Sequence, residues 1–151
     1  MKKNTYLLGL VFALFIGVFF VSCDFLDDHI KSPITTICDK SAIEDATRFN
    51  QISTSNYTIT NVVLNGNCLE ITIGSSGCNP GNWVMNLLGA KSLAAVSPPH
   101  IGVKVELINN EACLAVFQKT VSFDLTDFQW VGQNQVQLNI DGWNTPILYQ
   151  Y

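Results

Sequence analysis

Five cysteines stand at positions 23, 38, 68, 78 and 113. Thiols can ligate zinc, act as nucleophiles or pair as disulfides. Structural zinc sites favour close Cys-x-x-Cys pairs. Here the last four cysteines are separated by 30, 10 and 35 positions, so a metal site is not expected. A thiol nucleophile needs a basic partner to lower its pKa. His29 lies in an acidic stretch and His100 follows Pro98-Pro99, and neither has the neighbours of a triad. Glu70, Glu106 and Glu111 are dispersed. Asp124-x-Thr126-Asp127 offers hard oxygens for calcium, but a turn that bonds its own backbone is the expected reading. The run "GSSGCNPG" lacks the strand-to-helix context and following Lys of a phosphate loop. No catalytic residue, metal or cofactor is therefore assigned.

The redox setting of the cysteines is written at the other end of the chain. Met1-Lys2-Lys3 is a short basic start, and Tyr6 to Val21 is an uncharged apolar run of 16 residues. A transmembrane helix needs about 20, so residues 1–22 read as a signal peptide. The run ends Phe20-Val21-Ser22-Cys23, which resembles the bacterial lipobox. The resemblance implies cleavage before Cys23 and lipid on its sulfur, with Phe20 standing where Leu is commoner. Several acyl chains on one residue give stable anchoring, at about 0.8 kcal/mol for each buried CH₂.

Loss of Lys2 and Lys3 leaves 6 basic against 12 acidic residues, a net charge of −6. Such a chain has no basic stripe and no electrostatic footprint for nucleic acid. It is also repelled by anionic lipid, so the acyl chains must do the holding. Residues 23–37 read as an acidic tether. Asp24, Asp27 and Asp28 resemble the export signals of surface lipoproteins in the Bacteroidetes. The expected location is the outer membrane, on its periplasmic or its surface side.

Residues 38–151 read as one domain. Ser41 and Glu44 match a capping box for a short helix over 38–50, with an ordered loop as the equal alternative. From Tyr57 onward the pattern is β. Leu69, Ile71 and Ile73 alternate with Cys68, Glu70 and Thr72. Hydrophobic pattern favours a three-residue loop, Leu64-Asn65-Gly66, pairing Val63 with Asn67; Asn61 is then an exception on the apolar face. Cys68 points outward in that register. Trp83 to Leu88 reads as a strand buried on both faces. Ile101, Val103, Val105 and Leu107 mark a half-buried strand, and Cys113 to Gln118 a central one. "DLTDF" reads as a corner. Val136, Leu138 and Ile140 give another strand, and Asp141-Gly142 a turn before the last strand, Pro146 to Tyr151. Short strands at this spacing predict an all-β fold, an antiparallel β-sandwich of Ig-like type, with a small closed β-barrel as the alternative.

An exported chain meets an oxidising compartment, and four remaining cysteines fit two disulfides. A strand from 68 to 73 carries the chain about 16 Å outward, which disfavours Cys68 with Cys78. Cys78–Cys113 with Cys38–Cys68 is the favoured pairing, the second pinning the N-terminal segment to the outer face. Trp83 is expected in the core. Trp130 and Trp143 lie beside polar turns and are candidates for stacking on a sugar.

The lipobox, "NYTITNVVLNGNCLEITIGSSGC", "VSFDLTDF" and "VQLNIDGWNTPILYQY" together resemble a group of short lipoproteins common in the Bacteroidetes. The resemblance covers roughly residues 38–151, implies an envelope location and a single β domain, and carries no catalytic residues. The expectation is a lipid-anchored, non-catalytic binding or structural module, with a glycan or an envelope protein as partner. The alternatives are a carbohydrate-binding accessory lipoprotein and a small envelope hydrolase. Cys23→Ala should move the protein from the membrane to the soluble fraction; unchanged fractionation would remove the lipid anchor from the account.

Overall fold

The computed structural model describes residues 37–92 and 95–151. Cys23, His29 and the tether lie outside the described residues. No helix among the described residues is long and apolar enough to cross a membrane.

Among the described residues nine strands form two sheets. In chain order they are β1 Lys40–Ser41, β2 Ile43–Glu44, β3 Thr58–Asn65, β4 Cys68–Ser76, β5 Val84–Lys91, β6 His100–Ile108, β7 Val116–Asp124, β8 Gln135–Ile140 and β9 Ile147–Gln150. Helix α1 spans Ala46–Gln51. The four-stranded sheet has the order β1-β7-β4-β3 and the five-stranded sheet β2-β5-β6-β8-β9. The fold is a β-sandwich and not a closed barrel. Its sheets are mixed: β1 with β7, β2 with β5 and β6 with β8 are parallel, where antiparallel pairing was expected.

The core lies between the sheets. Leu69, Ile71 and Ile73 of β4 and Val121 and Phe123 of β7 face Met85, Leu87, Val103, Val105, Val136 and Leu138. Trp83 and Tyr149 are buried with them. β5 is apolar on both faces for a reason: Leu88 is fully buried, and α1 packs against its strand. The corner after β7 forms one turn of 3-10 helix, Thr126–Phe128. It drives the fully buried Phe128 ring over Gly89, where a Cβ would stand 2.4 Å from the ring. Glycine at 89 is what lets ring and strand meet.

The first hairpin differs from expectation. β3 pairs with β4 through Asn65↔Cys68, Leu64↔Leu69 and Val62↔Ile71, closing on Gly66-Asn67. Gly66 takes φ 57°, in the left-handed region. A bulge between Ile59 and Asn61 then restores Ile59↔Ile73. The bulge lets Ile59, Val62 and Leu64 all meet the core, which no unbroken alternation could do. Asn61 thereby turns outward opposite Thr72 and is no longer an exception. The loop position is held by Asn67, whose carbonyl accepts from Leu125 N (2.9 Å) and whose Oδ1 accepts from Tyr149 Oη (3.0 Å).

Two other segments depart from the sequence reading. Ser41 and Glu44 do not cap α1. They sit in β1 and β2, and Asp45 caps instead, accepting from Arg48 N at 2.9 Å. β1 joins one sheet and β2 the other, so the chain crosses the sandwich at Ala42, which is fully buried. The Cys113 to Gln118 run is also not a central strand. β7 starts only at Val116, and Leu114 and Val116 are strongly exposed. Among the described residues no strand flanks this end of β7 on the β1 side, because β1 reaches only Phe123 and Asp124.

Phe128→Ala should lower unfolding free energy by about 3–5 kcal/mol, the usual range for a buried aromatic, measured by urea denaturation.

Candidate functional site

The outer face of the four-stranded sheet is set by β4. Because Leu69, Ile71 and Ile73 point inward, Cys68, Glu70, Thr72, Gly74 and Ser76 point outward. The registers place neighbours beside them. Thr72 meets Thr120 and Asn61, Gly74 meets Gln118 and Thr58, and Ser76 meets Val116. The face is therefore a grid of hydroxyls and amides. Thr72 and Thr120 hydroxyls are 2.8 Å apart.

Gly74 leaves a gap in this grid. Around it lies a groove of about 470 Å³, lined by Thr58, Thr60, Ser76, Val116 and Gln118 with Ser55, Asn56, Tyr57 and Ser75 at one end. No lining residue is charged. The walls are held from beneath. Ser75 Oγ donates to Asn56 O (2.7 Å), Asn56 Nδ2 to Leu107 O (3.0 Å) and Tyr57 Oη to Val105 O (2.7 Å). Burial pushes the Tyr57 phenol up, so it stays a neutral donor. A Cβ at Gly74 would lie in ordinary contact with Thr60 Cγ2, at 3.7 Å, so larger side chains there would enter the groove.

The two disulfides flank this face. Cys38–Cys68 lies at one end of β4, with Cys68 turned outward yet only 3% exposed. Asp39 follows it and accepts from Ser122 N and Oγ, which holds its carboxyl below the usual range. Cys78–Cys113 joins the loop after β4 to the loop before β7. Glu111 organises that end. Its carboxylate accepts from Asn79 N, Asn82 Nδ2, Cys78 N and Trp83 Nε1, at 2.7–3.1 Å. These bonds, the one from Asn79 N first, bring its pKa down to about 2. Lys119 adds a second tie, donating to Pro80 O (2.9 Å) and Trp83 O.

No family model and no curated protein matches the sequence. Two solved structures share the fold. A Bacteroides vulgatus protein of unknown function, DUF1344, aligns with a TM-score of 0.50 and 14% identity, over 74% of this chain and 56% of its own. A NigD-like immunity protein from Bacteroides caccae aligns with a TM-score of 0.50 and 10% identity, over 72% of this chain and 57% of its own. The present chain thus spans a little over half of each, and at these identities the likeness is one of fold.

The other candidates are dispersed. Trp130 and Trp143 are half-buried, pack on the core and lie before and after β8. The six residues of β8 stand between them in the chain. Lys91 Nζ lies 5.6 Å from the Trp130 ring. His100 opens β6, half-buried and opposite Gln137. Several carboxylates are engaged elsewhere. Glu106 binds Arg48 and Asn86, and although burial raises its pKa, those bonds bring it below the ordinary value. Glu44 meets Lys91, and Asp141 accepts from Thr54. Asp124 Oδ1 accepts from Thr126 N and Oγ1, a turn of the expected kind. Among the described residues no group of three or more His, Cys, Asp or Glu is placed to hold a metal ion.

The groove escaped sequence reading because its residues are common polar types on three strands. Only the bulge and the β4–β7 register gather them. Glu111 escaped for a similar reason, since its donors lie about thirty positions away.

Glu111 carries a pH signature. Its folded pKa, about 2, lies below the ordinary 4.5, so its contribution is complete above pH 4.5 and is lost as pH falls toward 2. Glu111→Gln should lower the urea midpoint at neutral pH and flatten its decline over that acid window. A variant with the wild-type acid profile would show that the carboxylate does not stabilise the fold.

Proposed function

We propose that the protein is a non-catalytic binding module of the cell envelope, held by lipid on Cys23, and that its groove takes a neutral carbohydrate. The observation that carries this reading is the uncharged hydroxyl and amide lining around Gly74. Sugars present alternating O–H and C–H groups. Thr58, Thr60, Ser76 and Gln118 both donate and accept hydrogen bonds, and the threonine methyls with Val116 offer apolar contact to the C–H faces. Charged ligands find no counter-charge here. The volume of about 470 Å³ fits the range of small-ligand sites, about 300–1,000 Å³. The sheet and its buried ties fix the walls before a ligand arrives, which limits the ordering cost of binding.

Two features support the envelope location: the lipobox-like end of the apolar run and the two disulfides, which persist in oxidising compartments. An immunity role is a second reading, favoured by the description of the Bacteroides caccae neighbour.

A glycan array followed by calorimetry should find a neutral oligosaccharide ligand. Gly74→Val, which fills the gap, and the double variant Thr58→Ala, Gln118→Ala should each weaken it at least about tenfold, or ~1.4 kcal/mol. Unchanged affinity in both folded variants would place the site elsewhere, and binding to a protein alone would favour the immunity reading.

A further inference from the structure

The edges of the two sheets are unequal. β1 and β2 are edge strands of two residues each, and β9 has four. β3 closes the four-stranded sheet with eight residues, TITNVVLN. None of them is charged and none is proline. Natural sheets blunt long edges with charges, prolines or bulges. β3 has a bulge, but it lies between Ile59 and Asn61 and leaves Asn61–Asn65 regular.

The stretch Asn61–Asn65 is also self-complementary. Asn65 and Cys68 flank the two-residue loop and are partners. Residues in that position exchange both backbone hydrogen bonds, and alternation then turns the backbone groups of Val63 toward β4 and those of Val62 and Leu64 toward the open edge. An antiparallel copy centred on Val63 would pair Val62 with the partner's Leu64 and Leu64 with the partner's Val62 through those groups. Asn61 would meet the partner's Asn65, amide to amide. Val63, which is 45% exposed, would meet the partner's Val63 in the non-hydrogen-bonded position, where side chains approach most closely. Every position meets one of its own chemistry, and no like charges are opposed.

We propose that two copies of this chain pair edge to edge through β3, antiparallel and centred on Val63, joining their four-stranded sheets into one of eight strands. The contact is small, so the pair is of the weak class, below about 1,200 Å². Confinement of both copies to one membrane would raise their effective concentration. Thr58 and Thr60, which line the groove, lie outside the paired stretch Asn61–Asn65.

The test uses the chain as isolated from cells. Sedimentation velocity over a concentration series should show wild type shifting toward dimer and Val63→Lys, which opposes two ammonium groups, remaining monomeric. Val63→Cys under mild oxidation should run at twice the monomer mass, with peptide mapping locating the 63–63 link. Val84→Cys, exposed on β5, should stay at monomer mass. Wild type that stays monomeric throughout, Val63→Lys that associates like wild type, or Val63→Cys that links no faster than Val84→Cys would each overturn the proposal.

Discussion

The phase of β4 governs the molecule. Leu69, Ile71 and Ile73 are wholly withdrawn from solvent, and each is about as apolar as a side chain can be. Turning the strand over would expose all three and bury Glu70 and Thr72, a reversal worth roughly 1.5–3 kcal/mol for each large apolar side chain moved. No other arrangement competes. With that phase fixed, Cys68 must face outward to meet Cys38, and Gly74 must face outward to open the groove. β7 then lays Gln118 and Thr120 beside Gly74 and Thr72, because its own Val121 and Phe123 take the inward positions.

Much of this was legible in the residues. The alternations of β4, β6 and β8 are strong, and these three strands are present. Outward Cys68 was expected from a three-residue loop that the hairpin does not have; the inward phase of Leu69, Ile71 and Ile73 places it there all the same. The hairpin loop was misplaced because one unbroken period was assumed for β3. The bulge at Thr60 and the two contacts of Asn67 to Leu125 and Tyr149 are tertiary, and no local pattern announces them. The helix cap moved from Ser41 to Asp45 for the same kind of reason. Pairing with two different sheets claimed the residues before it. Leu114 and Val116 looked like core residues because they are apolar, yet Leu114 lies before β7 and Val116 takes an outward position beside Ser76. The groove needs three strands in register at once, which single-strand reading cannot supply.

Charge is used sparingly and at the margins. Arg48, Glu106 and Asn86 fasten α1 to the outer side of the five-stranded sheet, where Phe49 rests on Gly102 beneath Lys104. Glu111 and Lys119 tie the loop before β5 by gathering backbone groups that have no strand to pair with. Glu111 and Lys119 answer one need. A loop that leaves a sheet carries unpaired N–H and C=O groups, and a charged side chain can satisfy several of them together. The sandwich interior stays apolar, and among the described residues no buried side-chain polar atom lacks a partner.

The Cys38–Cys68 bond also decides where a mechanical load would enter. Tension arriving from residues before 38 would, without the bond, fall first on β1, two residues long at the rim of a sheet, which could peel away one hydrogen bond at a time. The covalent link diverts that tension to Cys68 at the start of β4, an interior strand flanked by β3 and β7. A pull must then strain two ladders together. The domain is thus fastened to whatever lies upstream through the middle of a sheet and not through its fringe.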